Sequence, residues 1–259
     1  MGKKVVCCFD VLGTCFHLSN VVDTIHSELK EELGVDAITA QLLVYNWYHA
    51  SQRDFTYLAP TCYTPIMQVF EKSIAKAFLP YLPSLSSASK AALRDPQSRI
   101  TTTLMSALKT LSPRPGLVEG MNALNAKGID CWAVTNGGKE GTINLFERVD
   151  KTGKWFAGPQ NLADRVISCD EIEAAKPDQR VYRYAKRRVC ESSSLAEDQI
   201  EFWFIATHSW DLHSAKKAGF KTAWVSLEEH DPSIALFGEP DILAESFPSV
   251  AQQIIERAL

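Results

Sequence analysis

Nowhere in the 259 residues does an apolar run reach the roughly 18 that a membrane-crossing helix needs, so no span is expected. The apolar run within residues 1–10 is too short for a secretory signal and is followed by no small-residue cleavage site. Cys-x-x-Cys pairs are missing. The seven cysteines are scattered, and the adjacent Cys7 and Cys8 would point to opposite faces of a strand. An odd, unclustered set argues against a disulfide framework and against a zinc site, and predicts reduced, mostly buried thiols in a cytoplasmic protein. There is no basic excess either. With 27 Lys and Arg against 31 Asp and Glu the formal net charge is −4, which speaks against a nucleic-acid partner and against a polybasic membrane anchor. Internal repeats and low-complexity tracts are also absent.

What is present suits a globular enzyme. Hydrophobic residues make up 46% of the chain, enough for one large domain or a core with a smaller companion and no covalent staple. Residues 4–9 (KVVCCF) form a short continuous apolar run, the pattern of a strand buried on both faces. Residues 10–14 (DVLGT) read as a turn. From 21 to about 109 the pattern is helical, broken by the Pro/Ser-rich stretch 78–88, and residues 111–116 (LSPRPG) read as a linker. Beyond it strands and helices alternate: helix 116–127, strand 129–134, a helix after Gly141, strand 165–169, helix 179–189, strand 201–207, helix 210–218, strand 221–227 and helix 246–259. Strands separated by helices imply right-handed crossovers and a parallel sheet. The expected fold is therefore α/β, Rossmann-like, with residues 1–18 and 112–259 as the core and 19–111 as a helical cap inserted after the first strand.

Ligands of such sheets bind at the carboxyl ends of the strands. Four of those ends carry polar residues: Asp10 and Thr14; Thr135, Asn136 and Gly137; Lys176 before the helix at 179; and Thr207, His208 and Asp211. Taken singly each is weak, since a strand-end Asp is more often a helix cap than a nucleophile. Two carboxylates, an ammonium and a hydroxyl-amide pair arriving from four separate segments are a different matter.

Together the segments FDVLGT (9–14), VTNGG (134–138), KPDQRVY (176–182) and FIATHSWD (204–211) resemble, in order and spacing, the four motifs of the haloacid dehalogenase superfamily. Within it the resemblance is nearest to the L-2-haloacid dehalogenases. It implies a metal-independent hydrolase without a cofactor, acting on a small molecule. Asp10 would attack a substrate carbon and form an aspartyl ester. Lys176 would keep Asp10 ionised, and Asp211 would hold Lys176 or activate water. Leu12, Thr14, Thr135, Asn136 and Tyr182 would surround the substrate. A homodimer is a further expectation carried over from the family.

Departures from the family pattern are equally legible. Phosphatases of the superfamily carry an acid two positions after the nucleophile, where this chain has Leu12, and another in motif four, where it has Thr207. Leu12 transfers no proton, and a Mg²⁺ site would want more hard oxygen ligands. Aligned through residues 55–58, His49 falls where the family places its halide-binding arginine, and Arg53 lies one helical turn later. His208 stands where the family has an asparagine that helps hold the hydrolytic water. The aromatic rings of residues 45–63 suggest either a larger, apolar substrate or tight helix packing. The alternative kept beside the dehalogenase is a repurposed enzyme of specialised metabolism, using His49 and His208 for a cyclisation, isomerisation or pericyclic step.

Overall fold

The computed structural model describes residues 2–150, 155 and 162–258. The chain divides into two compact units, one of Met1–Phe16 with Pro113–Leu259 and one of His17–Ser112.

The first unit is built on a six-stranded sheet. Its strands are β1 (Lys4–Phe9), β2 (Asp130–Thr135), β3 (Val166–Ser168), β4 (Ile200–Ala206), β5 (Lys221–Val225) and β6 (Ile242–Ala244). All neighbours pair in parallel, in the order β3-β2-β1-β4-β5-β6. The centre of the sheet is β1, with Phe9 in register with Ala133 on one side and Ile205 on the other. Val6, Cys7, Cys8 and Phe9 are all buried, as the unbroken apolar run requires. The chain leaves β1 toward β2 and β3, then returns to β1's other flank as β4. In parallel sheets ligands bind at such a reversal, which here falls between the ends of β1 and β4.

The helices Leu117–Ala126 and Phe247–Ala258 pack closely enough to demand glycine at 120. A Cβ there would lie 2.8 Å from Cβ of Phe247 and 2.9 Å from its carbonyl carbon.

The α/β class and the parallel sheet follow the sequence pattern. Strand β6 was not expected: three residues between Pro240-Asp241 and Glu245-Ser246 are too few for a period to register. The helix after β2 begins at Lys139 rather than beyond Gly141, and the helix from Gln179 runs on to Ser193.

The second unit is helical, led by Ala37–Leu58, Ile66–Phe78 and Arg99–Leu108. Asp36 caps the first of these, its carboxylate accepting the Thr39 N–H at 2.7 Å. Much of the aromatic density is internal packing. Trp47 is fully buried, donates Nε1–H to the Phe70 carbonyl at 2.9 Å, and meets the Phe70 and Phe78 rings edge-on. Phe55 is buried edge-on against Tyr63, whereas Tyr57 is exposed. Among the described residues no helix is long and apolar enough to cross a membrane. All seven cysteines are free thiols, and Cys7, Cys8, Cys15, Cys131 and Cys169 are buried.

Candidate active site

Asp10 is the first residue past β1, and the sheet fixes its backbone: its N–H donates to the Ile205 carbonyl of β4 at 3.0 Å. The chain then turns through Gly13, whose φ of 88° lies in the left-handed region that favours glycine. The turn brings Thr14 back so that its hydroxyl donates to Oδ2 of Asp10 at 2.6 Å. Thr14 Oγ1 in turn accepts the Thr207 N–H, at 3.0 Å, from the end of β4. The two central strand ends are thereby tied through one hydroxyl.

Lys176 fills the space between two carboxylates. Its fully buried Nζ lies 2.6 Å from Oδ1 of Asp10 and 2.6 Å from Oδ2 of Asp211. Asn136 anchors the lysine's backbone, its Oδ1 accepting the Lys176 N–H at 2.9 Å and the Cys169 thiol at 3.1 Å. The phenol of Tyr182 donates to Oδ1 of Asp211 at 2.5 Å. Asp211 itself sits in the first turn of the helix Ser209–Lys217, where a negative charge is favoured.

These pairings set the ionisation states. Burial alone would raise the Asp10 carboxyl, but the Lys176 ammonium and His208 outweigh it and hold Asp10 well below the usual carboxylate range. Burial likewise disfavours the Lys176 ammonium, and Asp10 and Asp211 more than offset that, raising its pKa. Burial pushes Tyr182 up, reinforced by Asp211, so it remains a phenol and a donor. The neighbouring Cys169 is pushed up by burial to about 12 and stays a thiol.

The sequence did not single out two members of the cluster, Glu228, which meets the expected His208, and Arg114 behind it. The buried His208 places Nδ1 3.6 Å from Oδ2 of Asp10 and Nε2 3.4 Å from Oε1 of Glu228, with its ring stacked on Trp210. Glu228 is paired through Oε2 with Arg114, whose Nε donates to the Gly13 carbonyl at 2.9 Å and whose Nη1 donates to the Leu227 carbonyl at 2.8 Å. Applying the strand-end rule to β5 as well would have pointed to Glu228. Arg114 carries no such signal: between two prolines it reads as linker. The result is a row of alternating charge, buried from Asp211 through Lys176 and Asp10 to His208 and half-buried at Glu228 and Arg114.

Burial opposes a charged imidazole, but the hydrogen bonds and charges of Asp10 and Glu228 outweigh it and push His208 up to about 10. In an unfolded chain histidine titrates near 6.5. A raised pKa means that the folded state holds the extra proton, so this stabilisation is complete below about pH 6.5 and is lost as pH rises through about 10. The stability difference between the native protein and His208→Gln, read from denaturant titrations, should therefore shrink across that window. A difference independent of pH would contradict a charged His208.

The structure thus brings Asp10, Thr14, Lys176, Tyr182, His208 and Asp211 together, with Asn136 behind the lysine. The Thr135 hydroxyl accepts the Gly137 N–H at 2.9 Å, shaping the turn after β2. Leu12 is half-buried and bridges to Phe16. His49 and Arg53 belong to the helical unit, on the helix Ala37–Leu58. Both are exposed; His49 has its ring against Tyr48, and Arg53 has Nε 3.7 Å from Asp54.

A strand-end carboxylate beside a buried lysine, reached through these four motifs, defines a class. The chain matches the family of haloacid dehalogenase-like hydrolases over residues 5–219, and it belongs to that family. Among curated relatives it is 28% identical over 158 residues to (S)-2-haloacid dehalogenase 4A of Burkholderia cepacia, a match spanning 60% of this chain and 62% of that protein. In fold it is similar to a crystal structure of a dehalogenase, with a TM-score of 0.73 and 21% identity over 96% of both chains. It is likewise similar to the L-2-haloacid dehalogenase of Xanthobacter autotrophicus, with a TM-score of 0.69 and 18% identity over the whole of both chains.

Proposed function

We propose that the protein is a hydrolase of the L-2-haloacid dehalogenase type, in which Asp10 displaces halide from the α-carbon of a short 2-haloacid. The observation that carries this reading is the Asp10–Lys176 pair: a carboxylate only 5% exposed and 2.6 Å from a buried ammonium. A carboxylate surrounded by water is a weak nucleophile, and burial removes most of that shell. Lys176 keeps the group ionised there, and Asp211 and Tyr182 keep Lys176 in place. As the Asp10 oxygen bonds to carbon, the carbon–halogen pair leaves as halide and an aspartyl ester remains. Water then attacks Cγ of Asp10, the acyl–oxygen bond breaks, and a 2-hydroxyacid leaves with Asp10 restored.

The test is halide release from L-2-chloropropionate and from bromoacetate with a chelator present. Halide and 2-hydroxyacid should appear one for one. A single turnover in ¹⁸O-water should place the label in Asp10 before it reaches the product. Folded protein that frees no halide from either compound would sink the proposal.

A further inference from the structure

We propose that Glu228, anchored by Arg114, is the positioning residue of an acid–base pair in which His208 serves the hydrolysis of the ester formed at Asp10. The inference rests on the Asp10 reading above and assigns the proton in its second half.

Geometry comes first. The imidazole is held between two carboxylates, Asp10 at 3.6 Å and Glu228 at 3.4 Å, and is stacked on Trp210. With Nδ1 3.6 Å from Oδ2, the ring is within reach of a water that attacks the adjoining Cγ. Glu228 is fixed as a reference point on its far side: Arg114 binds its other oxygen, and its N–H donates to Thr207 Oγ1 at 3.1 Å. Asp10 and Glu228 face His208 directly. Lys176 and Asp211 stand beyond Asp10, Arg114 beyond Glu228, and Glu229 is engaged by the Ser209 N–H at 2.9 Å.

The charge count gives the proton a direction. With Asp10 ionised the six-membered row sums to zero, and His208 is an imidazolium. Esterification neutralises Asp10, so that of the two carboxylates facing His208 only Glu228 keeps its charge, while the substrate's own carboxylate, carried on the ester, was already present before the bond formed; the hold on the imidazolium proton weakens. The imidazolium then releases its proton to solvent and becomes a base. It takes a proton from the water that attacks Cγ. The ring passes that proton to the departing alkoxide, then takes the proton left on the Asp10 carboxylic acid. The cycle ends with Asp10 as carboxylate and His208 again protonated.

Rapid mixing with bromoacetate, quenching and intact-mass measurement separate the two halves. In the native protein about one proton per site should appear with the first equivalent of halide, and in His208→Gln none. His208→Gln should still form the ester but hydrolyse it about 100-fold more slowly, so that the adduct accumulates. Glu228→Gln should slow hydrolysis about tenfold and move its acidic limb to lower pH, because the ring has lost a charge that favours its protonation; Glu228→Asp should restore part of both. A Glu228→Gln variant with normal ester hydrolysis and an unmoved limb overturns the inference while leaving Asp10 as nucleophile. Absence of both ester and halide in the folded native protein overturns the Asp10 reading and this inference with it. Should Glu228→Gln not fold, the native protein decides: hydrolysis in single turnovers that is flat across roughly pH 5 to 9 overturns the proposal.

Discussion

Asp10→Asn should lower halide release by at least about 10⁴-fold while the protein stays folded. The amide oxygen can still accept from Lys176, and Lys176 keeps its second carboxylate, Asp211, at 2.6 Å. The amide nitrogen replaces an acceptor that took the Thr14 hydroxyl, so that one bond must be reorganised, at about 1–3 kcal/mol. What disappears is the electron pair that bonds to substrate carbon. Halide chromatography on purified variant reads the result directly, and intact mass should show no adduct. Release within about tenfold of the native rate would mean that the reacting group lies elsewhere.

Lys176→Met should be the most damaging change to the fold around the site. The methionine roughly fits the space but strips Asp211 of the ammonium and leaves Asp10 with the His208 imidazolium at 3.6 Å, the two carboxylates being buried close together. Breaking a buried pair in this way costs about 3–5 kcal/mol, which in a protein of this size lowers the melting temperature by on the order of 10 °C. Activity should fall as well: Asp211, already pushed up by burial, takes up a proton to relieve the repulsion, and Asp10 loses the ammonium that held it ionised and in place. Thermal melts followed by circular dichroism, with halide assays at several pH values, would separate the two effects. A variant as stable as the native protein would show that the lysine's burial, not its charge, is what the site requires.

The sheet was legible because its strands are buried on both faces, and unbroken runs such as KVVCCF leave little choice of structure. The cluster around Asp10 was legible for a different reason: its members sit at strand ends within motifs whose order is recognisable along the chain. Where legibility failed, the missing signal was physical. Glu228 lies past the end of β5 in the run Glu228, Glu229, His230 and Asp231, three acids and a histidine, where an ordinary solvated loop has the same composition. Arg114 lies between prolines, and nothing local indicates that its guanidinium reaches the Gly13 carbonyl and a carboxylate more than a hundred positions away. Strand β6 was lost to its three-residue length. Long-range ion pairs and very short strands depend on tertiary placement, and neither leaves a period to read.

The peptide N–H of Asp10 is bonded to the Ile205 carbonyl of the adjoining central strand. The proposed nucleophile thus belongs to the part of a fold that opens last, when strands at the middle of a sheet separate. On warming, function and global structure should vanish over the same interval, with no inactive yet folded species accumulating beforehand.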